Sequence, residues 1–468
     1  MITYNLFSGA AAGITKLQQT YQLNLKELSE NGLIQYTDSN GQKRSFASQE
    51  RLTSVDFSTL AFKAKMNKDY ATSIIFLREA LRLMPKEEGS VRAQTKEVKK
   101  RTLKLKKDLV QLNNGYLSKW QVRAEKDFVV LPYMIDESLK KKKKQPKFVT
   151  DQVLEDHPFV SQKNVDPNAN VKDDFFAEVC RRGQLMARKW PSKTPLSCRF
   201  LHHADPYLKL GPFKEEFISE VPYAVVFHDI LSQLEMDHLI ESARPELSMT
   251  RASQVNSHLL AAHEYKVGNK RKIVAKTVQA WLDDVIWPEY EDYAGRNYSE
   301  MKDQILWKMV KKIELATQLQ TQTHHSSTRI QVTNYGLGGL CETHVDPHGY
   351  IEGADVPPER EYLKLTGDMM GTFMAWLTDT TAGGGTAYIY PGVEGVIMPE
   401  KGAAAFWYDL FANGFRDGAS EHGGCPVLKG SKWILNKWMY YYDNYQKFPC
   451  KLDYQEFFDA PNSSHYFK

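Results

Sequence analysis

The sequence contains no apolar run that approaches the roughly 20 residues needed for a membrane-spanning helix. Its formal net charge of +4 is too small to indicate a nucleic-acid partner, and its one basic run, Lys140 to Lys144, is typical of a solvated linker. The first residues lack a basic n-region and a sustained apolar segment, so they match a secretory signal peptide poorly. We therefore expect a globular protein with no membrane span and no nucleic-acid partner.

Cysteine is scarce, with five residues in the whole chain: Cys180, Cys198, Cys341, Cys425 and Cys450. No C-x-x-C pair occurs, which argues against a structural zinc site. An odd count leaves at least one thiol unpaired if the others form bridges. The spacing alone does not decide between disulfides and reduced thiols.

Residues 1–117 are predicted to form a helical domain. Two segments with helical apolar periodicity lie between Thr53, which begins a capping sequence, and Pro85, which ends the second helix. The second segment matches the second helix of a tetratricopeptide repeat, and the alternative is a generic helical hairpin. One repeat cannot bury its own apolar face, so we expect flanking helices within residues 17–33 and 91–117.

Residues 118–210 are predicted to be a linker region with short helices, one of them around Phe175 to Arg188. Residues 211–452 form the predicted catalytic domain, and residues 453–468 form a tail. Strand-like segments separated by turn residues follow one another in this domain, a spacing that favours an all-β barrel or sandwich core. These segments are "YAVVFHDIL", "TRIQVTNYG", "GTFMAWLTD", "GTAYIYP", "GAAAFWYDL" and "SKWILNKWMYYY".

The stretch "CETHVDPHGY" contains a His-x-Asp pair, His344 and Asp346. In an extended segment residues i and i+2 point the same way, so both side chains can face one point. Two histidines and one carboxylate form the facial triad that suits non-haem Fe(II). The residues alone leave two candidates for the third ligand, His348 and His422. His348 lies so close to His344 in the chain that it completes a triad with difficulty, whereas His422 lies between two predicted strands.

Lys432 lies on the predicted strand "KWILNKW". A buried lysine near a metal is costly unless it meets an anion. A dicarboxylate cosubstrate can bind the metal and the lysine together, because one end chelates the metal and the far carboxylate pairs with the ammonium group. Alternation predicts two faces that line the barrel interior: Lys432, Ile434, Asn436 and Trp438 on this strand, and Gln331, Thr333 and Tyr335 on the first core strand. Tyr335 is either a ligand contact or a packed core residue.

The glycine-rich run from Gly383 to Thr386 lacks the lysine and the helix of a phosphate-binding loop. It therefore predicts a tight turn.

The segments that carry a resemblance to a known family are "QVTNYGLGG", "ETHVD", "AGGGTAYIYP", "KGAAAFWYDL", "GCPVLKGSKWILNKW" and "FPC". With them the sequence resembles the collagen prolyl 4-hydroxylase α-subunit family, whose members are 2-oxoglutarate- and Fe(II)-dependent dioxygenases. The resemblance covers Tyr223 to Cys450. It extends more weakly to "GITKLQQTYQLN" and "LTSVDFSTL", which look like the peptide-substrate-binding region of that family. It implies an α+β protein with a helical N-terminal domain and a double-stranded β-helix (jelly-roll) catalytic domain.

The resemblance implies that His344, Asp346 and His422 bind Fe(II). It further implies that Lys432, with Tyr335 and Thr386, binds 2-oxoglutarate, and that ascorbate sustains activity. The implied reaction is 4-hydroxylation of peptidyl proline in collagen-like X-Pro-Gly sequences, with conversion of 2-oxoglutarate to succinate and carbon dioxide.

The family also implies a cellular setting. Cys180–Cys198 and Cys425–Cys450 occupy its intrachain disulfide positions, which implies the lumen of the endoplasmic reticulum. A protein disulfide isomerase is the implied β-subunit. The chain begins partway into the N-terminal region of the family, so we expect a truncated sequence or an alternative start. Asn297 and Asn462 begin sequons that become glycan sites in a lumenal protein.

Four features depart from the family. Cys341 replaces a tyrosine, Met369 an arginine and Tyr440 a histidine, and the segment "VRAQTKEVKKRTLKLKKDL" is rich in lysine. These departures keep two alternatives open: a dioxygenase that acts on a non-collagen peptide or on lysine, and a catalytically silent peptide-binding or assembly subunit. The intact triad and Lys432 favour an active, divergent member.

Overall fold

The computed structural model describes residues 2–37, 42–48, 51–66, 69–85, 99–100, 102–109, 172–182, 197–203, 205–220, 222–249, 266–267, 270–271, 277–282, 284, 303–349, 361–389 and 395–446. The chain divides into two compact units, Met1–Gln184 and Leu185–Lys468. The division falls inside the predicted linker region, and the predicted boundaries at residues 117, 210 and 452 stay predictions. The lysine run, Cys450, both sequons and the tail lie outside the described residues.

The first unit is mainly helical. Its helices are α1 (Ile2–Tyr21), α2 (Leu25–Asn31), α3 (Ser54–Met66), α4 (Tyr70–Leu83) and α5 (Lys172–Arg182), and residues 102–109 are also helical. A short antiparallel hairpin joins β1 (Leu33–Thr37) to β2 (Lys43–Ala47).

Helices α3 and α4 pack against each other through a shared apolar face. Asp69 caps the start of α4, where its side chain accepts a hydrogen bond from the backbone N–H of Thr72 at 3.1 Å. The two predicted helices are therefore confirmed, and their likeness to a tetratricopeptide repeat stays a prediction. The buried residues on this face are Phe57, Leu60, Ala61 and Ala64 of α3 and Ile74, Phe76, Leu77 and Ala80 of α4.

The chain leaves its helical conformation at Gly32. This residue adopts a left-handed φ of 66° and ends α2, and a Cβ at this position would lie 2.9 Å from the carbonyl oxygen of Ser48. Glycine is thus required both by the turn and by the close approach of the β2 end of the hairpin. The hairpin was not predicted, because the helical patterns read from the sequence lie outside residues 34–47.

The second unit is built on two main β-sheets, with two further two-stranded pairs and four α-helices in the part of the chain that the structure describes. Its helices are α6 (Pro206–Leu210), α7 (Gln233–Ala243), α8 (Gln304–Thr317) and α9 (Leu363–Thr366). Its strands are β3 (Cys198–Leu201), β4 (Phe213–Glu220), β5 (Tyr223–His228), β6 (Ser248–Met249), β7 (Lys266–Val267), β8 (Lys270–Arg271), β9 (Val278–Leu282), β10 (Ile330–Tyr335), β11 (Cys341–His344), β12 (Met369–Trp376), β13 (Thr380–Gly383), β14 (Thr386–Tyr388), β15 (Gly395–Ile397), β16 (Ala404–Tyr408), β17 (His422–Gly424), β18 (Val427–Gly430) and β19 (Lys432–Tyr440).

Strand order identifies the architecture. The larger sheet has nine strands in the order β3-β4-β5-β16-β12-β19-β10-β9-β6, and the smaller has four in the order β11-β17-β14-β15. Neighbouring strands in both sheets are antiparallel, and sequence neighbours are often spatially distant, as in a jelly roll. All six strand-like segments read from the sequence form strands, so the predicted jelly-roll core is confirmed.

The large sheet separates two apolar cores because alternate side chains point to opposite faces. On β12, Phe373 and Ala375 belong to a core that includes Leu239 of α7 and Met309 of α8. Met374 and Trp376 belong to the second core, with residues of the small sheet such as Tyr388. The second face, which the two sheets share, is the one that holds the candidate site.

The cysteines correct one expectation. Cys180 and Cys425 are disulfide-bonded, whereas Cys198 and Cys341 are free thiols. The implied Cys180–Cys198 disulfide is therefore wrong. Cys198 begins β3, where its register partner is Glu216 and its side chain is exposed. Cys450, the other half of the implied Cys425–Cys450 pair, lies outside the described residues.

Among the described residues, no helix combines the length and the apolar character needed to cross a membrane.

Candidate metal and cosubstrate site

Three predicted ligands come together at one end of the small sheet. His344 is the last residue of β11 and His422 is the first of β17, and the register of these strands places the two residues opposite each other. Asp346 lies two residues beyond β11. One ligand atom from each side chain lies within 4.8 Å of the other two. Within the described residues this is the one cluster of at least three such side chains that could hold a metal ion.

Hydrogen bonds orient both imidazole rings. His344 Nδ1 lies 2.8 Å from the carbonyl oxygen of Glu342, and His422 Nδ1 lies 2.9 Å from that of Ser420. A carbonyl oxygen only accepts, so each Nδ1 carries a proton and donates it. Each Nε2 then keeps its lone pair when the ring is neutral. This arrangement is the usual one for histidine ligands of a metal.

Asp346 faces both imidazoles. Its Oδ1 lies 3.4 Å from His344 Nε2 and its Oδ2 lies 3.9 Å from His422 Nε2. Burial alone would raise the pKa of Asp346, but the imidazoles of His422 and His344 hold it well below its usual range. The carboxylate is therefore ionised, as a metal ligand must be.

The two histidines titrate in opposite directions. Burial lowers the pKa of His422 to about 4. Burial acts in the same sense on His344, but Cys341 and Asp346 outweigh it and hold the pKa of His344 well above its usual value. In the metal-free site one proton on His344 thus neutralises the carboxylate. A cation that binds the three side chains replaces this proton.

Two residues that sequence reasoning missed lie behind Asp346. Thr372 on β12 lies 2.7 Å from Asp346 Oδ2 through its hydroxyl Oγ1. The same hydroxyl lies 2.6 Å from Oδ2 of Asp409, which follows β16 and is fully buried. Thr372 shares the inward parity of Met374 and Trp376, and this was the available signal. Nothing in the sequence indicates the contact with Asp409.

Lys432 is fully buried at the first position of β19. Its Nζ has no hydrogen-bond partner among the residues that the structure describes, and it lies 5.1 Å from the centre of the Tyr335 ring. Burial lowers the pKa of Lys432 to about 7. A charged group in this position needs an anion, and the residues that the structure describes do not provide one.

The triad and Lys432 line one cavity. Both predicted inward faces, on β19 and on β10, are confirmed because all their members line it. The lining residues are Thr277, Gln279, Gln331, Thr333, Tyr335, Cys341, His344, Asp346, Thr372, Met374, Thr386, Trp407, His422, Gly424, Lys432, Ile434, Asn436 and Trp438.

Two other predicted contacts also lie in this cavity. The Tyr335 ring faces Lys432 as described, so the ring is both packed and part of the cavity wall. Thr386 begins β14, and its hydroxyl donates a hydrogen bond to Sδ of Met374 at 3.7 Å. The preceding turn is confirmed, since Gly383 and Gly384 adopt left-handed φ values of 72° and 76°.

His348 is not part of the triad. Its backbone N–H donates to Oδ1 of Asp368 at 2.8 Å, and its Nε2 lies 2.9 Å from the hydroxyl of Tyr362. The structure therefore selects His422 from the two candidates that the residues left open.

The three departures near the site are buried. Cys341 Sγ lies 3.8 Å from Nδ1 of His344, a metal-ligand candidate. Met369 and Tyr440 pack with Trp438, which lines the cavity. Trp438 Nε1 has no hydrogen-bond partner among the described residues. Of the three, only Cys341 lines the cavity, whereas Met369 and Tyr440 lie behind its wall, and the candidate ligands stay in place.

The donor set fits a non-haem iron centre. Two imidazole Nε2 atoms and one carboxylate oxygen converge, which is the composition of the facial triad. The buried Lys432 ammonium, in the same cavity, fits the far carboxylate of a chelating dicarboxylate such as 2-oxoglutarate.

Comparison with known proteins agrees with this chemistry. Residues 330–440 match the sequence model of the 2OG-Fe(II) oxygenase superfamily. This segment begins with β10, ends with β19 and includes the whole triad and Lys432.

Similarity to individual proteins covers nearly the whole chain. The chain is 25% identical to prolyl 4-hydroxylase subunit alpha-2 of Gallus gallus, over 95% of this chain and 75% of that protein. It is 27% identical to prolyl 4-hydroxylase subunit alpha-1 of Homo sapiens, over the same shares of 95% and 75%. A solved structure of the viral collagen prolyl hydroxylase from Paramecium bursaria Chlorella virus-1 is 19% identical, over 47% of this chain and 96% of that chain, with a TM-score of 0.29.

Proposed function

Because the chain belongs to the 2OG-Fe(II) oxygenase superfamily as a divergent relative of the prolyl 4-hydroxylase α subunits, we propose that it 4-hydroxylates peptidyl proline in collagen-like X-Pro-Gly sequences. The enzyme uses Fe(II) and 2-oxoglutarate, and it is a procollagen-proline 4-dioxygenase-like oxidoreductase. The collagen-like sequence of the substrate is the part that we propose.

One observation carries the proposal: a converging His-Asp-His set and an unpaired buried lysine line the same cavity. A structural metal site has no need of a nearby buried ammonium group. A dicarboxylate that chelates the metal at one end does need a cation at the other. The pair of features therefore supports a cosubstrate site more specifically than either feature alone.

Each residue has a proposed role. His344, Asp346 and His422 hold Fe(II), since their hydrogen bonds leave Nε2 lone pairs and an ionised carboxylate free to bind it. Lys432 pairs with the far carboxylate of 2-oxoglutarate, and the Tyr335 ring lies beside its ammonium group. Thr386, at the cavity wall, contacts the cosubstrate.

When bound, Fe(II) would supply the position at which O2 oxidises both substrates. One oxygen atom would enter the proline, and the other would enter the succinate that forms from 2-oxoglutarate with loss of carbon dioxide. The protein contributes orientation and exclusion of water. The apolar walls Trp407, Ile434 and Met374 keep the inner cavity dry, which strengthens the pairing of Lys432 with a carboxylate.

The wider setting is also proposed from the relatives. Ascorbate restores enzyme whose iron has been oxidised without substrate turnover. The helical N-terminal unit holds the peptide, in the manner of a tetratricopeptide repeat, and a protein disulfide isomerase serves as the β-subunit. The disulfide-bonded Cys180 and Cys425 support a location in the lumen of the endoplasmic reticulum.

A second candidate is a proline or lysine hydroxylase that acts on a non-collagen peptide. Met369, Trp438 and Tyr440 form one buried cluster that reaches the cavity wall, with Trp281 and Tyr362 packed against it. Two members of this cluster replace charged or titratable residues of the family. An apolar wall at this position favours a different peptide from the one that the relatives accept.

The test is succinate formation by the purified protein with Fe(II), ascorbate and disulfide isomerase, with and without a (Pro-Pro-Gly)n peptide. Peptide-stimulated succinate together with 4-hydroxyproline in the peptide is expected. His422→Ala should abolish both products because it removes a ligand. Asn334→Ala is a matched surface control, since Asn334 points away from the cavity and contacts Ser431.

The alternatives predict other results. Succinate formation that the collagen-like peptide does not stimulate would support the iron and 2-oxoglutarate chemistry but not the collagen-like substrate. The substrate would then be a non-collagen peptide, which a peptide panel would identify. Bound iron with no succinate under any condition would contradict the proposed activity and support a silent peptide-binding subunit.

A further inference from the structure

A single hydroxyl group lies between two buried carboxyl groups. Thr372 Oγ1 lies 2.7 Å from Asp346 Oδ2 and 2.6 Å from Asp409 Oδ2, and all three side chains are almost completely buried. Both distances are typical of strong O–H···O hydrogen bonds. The three groups form a chain that runs from the large sheet to the triad.

Counting hydrogens shows that one carboxyl group carries a proton. The Thr372 hydroxyl has one hydrogen, and an ionised carboxylate is only an acceptor. The hydroxyl can donate to Asp346 or to Asp409, but not to both. The other short contact then has to be donated by a carboxylic acid to the oxygen of Thr372.

Asp409 is the better position for this proton. Asp346 faces two imidazoles and has to be ionised to bind a metal. Asp409 has no basic side chain within ion-pair distance in the part of the chain that the structure describes, and burial together with the charge of Asp346 raises its pKa well above the usual value. Asp417, whose pKa is raised to about 6 by burial, is a further carboxyl group near it and adds to this effect.

The second oxygen of Asp409 fits the same assignment. Asp409 Oδ1 accepts a hydrogen bond from Nε1 of Trp407 at 2.9 Å. One oxygen accepts and the other donates, which is the pattern of a neutral carboxylic acid. The same pattern is available to an asparagine, with Oδ1 toward Trp407 and Nδ2 toward Thr372.

We propose that Asp409 is a neutral positioning acid that donates to Thr372, so that the Thr372 hydroxyl donates to Asp346 and fixes the carboxylate for the metal. This inference rests on the proposed function, because it takes Asp346 as a ligand. The fixed Oδ2 leaves Oδ1, the oxygen nearer His344, directed at the metal position. Loss of such an outer hydrogen bond commonly weakens metal binding about 10–100-fold.

The experiment measures metal affinity without turnover, by titration of the metal-free protein with Co(II) and its visible absorbance. The variants are Asp409→Leu, Asp409→Asn, Thr372→Val and the double variant Thr372→Val/Asp409→Leu. Asp409→Leu and Thr372→Val should each weaken Co(II) binding about 10–100-fold. Asp409→Asn should recover most of the loss seen with leucine, because its amide donates to Thr372 as the acid does.

The double variant tests the path of the effect. If Asp409 acts through Thr372, Asp409→Leu adds little to the loss already caused by Thr372→Val. A structural effect of Asp409 on packing would instead add in full. Thermal unfolding and circular dichroism show whether each variant is folded, and if Asp409→Leu does not fold, the comparison of Asp409→Asn with the wild type decides.

Two results overturn the inference. The first is that Asp409→Asn binds Co(II) as weakly as Asp409→Leu does, or about 10–100-fold more weakly than the wild type. This result would show that Asp409 acts through a negative charge and not as a neutral hydrogen-bond donor. Full additivity in the double variant would show that it does not act through Thr372. Failure of the wild type to bind Co(II) is a different outcome, since it removes the proposed function itself.

Discussion

Replacing Lys432 with methionine removes a buried ammonium group and keeps a side chain of similar length. Lys432 is fully buried and has no hydrogen-bond partner among the described residues, and burial lowers its pKa from 10.5 to about 7. The native protein therefore bears an unfavourable charge that methionine does not have. We expect the metal-free and cosubstrate-free variant to be more stable than the wild type.

The size of the effect follows from the two pKa values. A difference between 10.5 and about 7 corresponds to about 4 kcal/mol at pH 7, at 1.36 kcal/mol per unit. The unfolded chain keeps this proton up to pH 10.5, whereas the folded protein loses it near pH 7. The unfolded state thus binds more protons between these values, so wild-type stability rises with pH and the advantage of the variant disappears near pH 10.5.

The assay is thermal unfolding of the metal-free protein between pH 6.5 and 9.5. At roughly 2–4 °C per kcal/mol for a unit of this size, Lys432→Met should raise the midpoint by roughly 10 °C at pH 7. With metal and 2-oxoglutarate added, the wild type should gain stability and the variant should gain far less. The wild type would then be destabilised by Lys432 in the metal-free protein and stabilised by the same residue when 2-oxoglutarate is bound.

Lys437→Met is the matched control. Lys437 lies on the same strand and is equally buried, but its Nζ donates to Asp284 at 2.6 Å and to the carbonyl oxygen of Thr328 at 2.9 Å. Removing it leaves the buried Asp284 carboxylate without its cation, and breaking a buried ion pair in this way typically costs about 3–5 kcal/mol. A Lys432→Met variant that is destabilised like Lys437→Met, and still gains stability from 2-oxoglutarate, would refute the reasoning.

Three further predictions concern the site and its surroundings. Metal binding at pH 7 should release close to one proton, because the pKa of His344 is held well above its usual value; calorimetry in two buffers of different ionisation enthalpy measures it, and buffer-independent heats would contradict it. Tyr335→Leu should raise the 2-oxoglutarate concentration for half-maximal turnover about 2–30-fold through loss of the ring beside Lys432, whereas Tyr335→Phe keeps the ring; equal constants for both variants would exclude this contact. Cys198 should react with maleimide in the native protein and Cys341 only after unfolding, as read by peptide mass spectrometry, since the first is exposed and the second buried; equal labelling rates would disprove the assigned burial.

Local pattern was sufficient for much of the catalytic fold. The alternation in "KWILNKW" correctly assigned Lys432 and Asn436 to the cavity, because side-chain parity is a property of the strand alone. The spacing of His344 and Asp346 likewise predicted that both face one point. These predictions needed no knowledge of which strands pair.

Contacts between segments that are distant in the chain could not be predicted from the sequence. The choice between His348 and His422 depended on the pairing of β11 with β17, which sequence periodicity does not encode. The contact of Thr372 with Asp409 depends in the same way on the pairing of β12 with β16. The prediction of a Cys180–Cys198 disulfide was wrong for a related reason. A matching position in the family does not determine the direction of the Cys198 side chain, which is exposed at the start of β3.

The two lysines of β19 also determine how the strand is aligned. Lys432 and Lys437 lie on opposite faces, and β19 pairs with β10 through Tyr335↔Lys432 and with β12 through Phe373↔Lys437. A slip of one residue would exchange the two faces. It would carry the Lys437 ammonium into the cavity and leave the buried Asp284 carboxylate without its cation. Most other side chains of the strand are apolar and would tolerate either face, so charge burial, more than apolar packing, excludes the misaligned sheet.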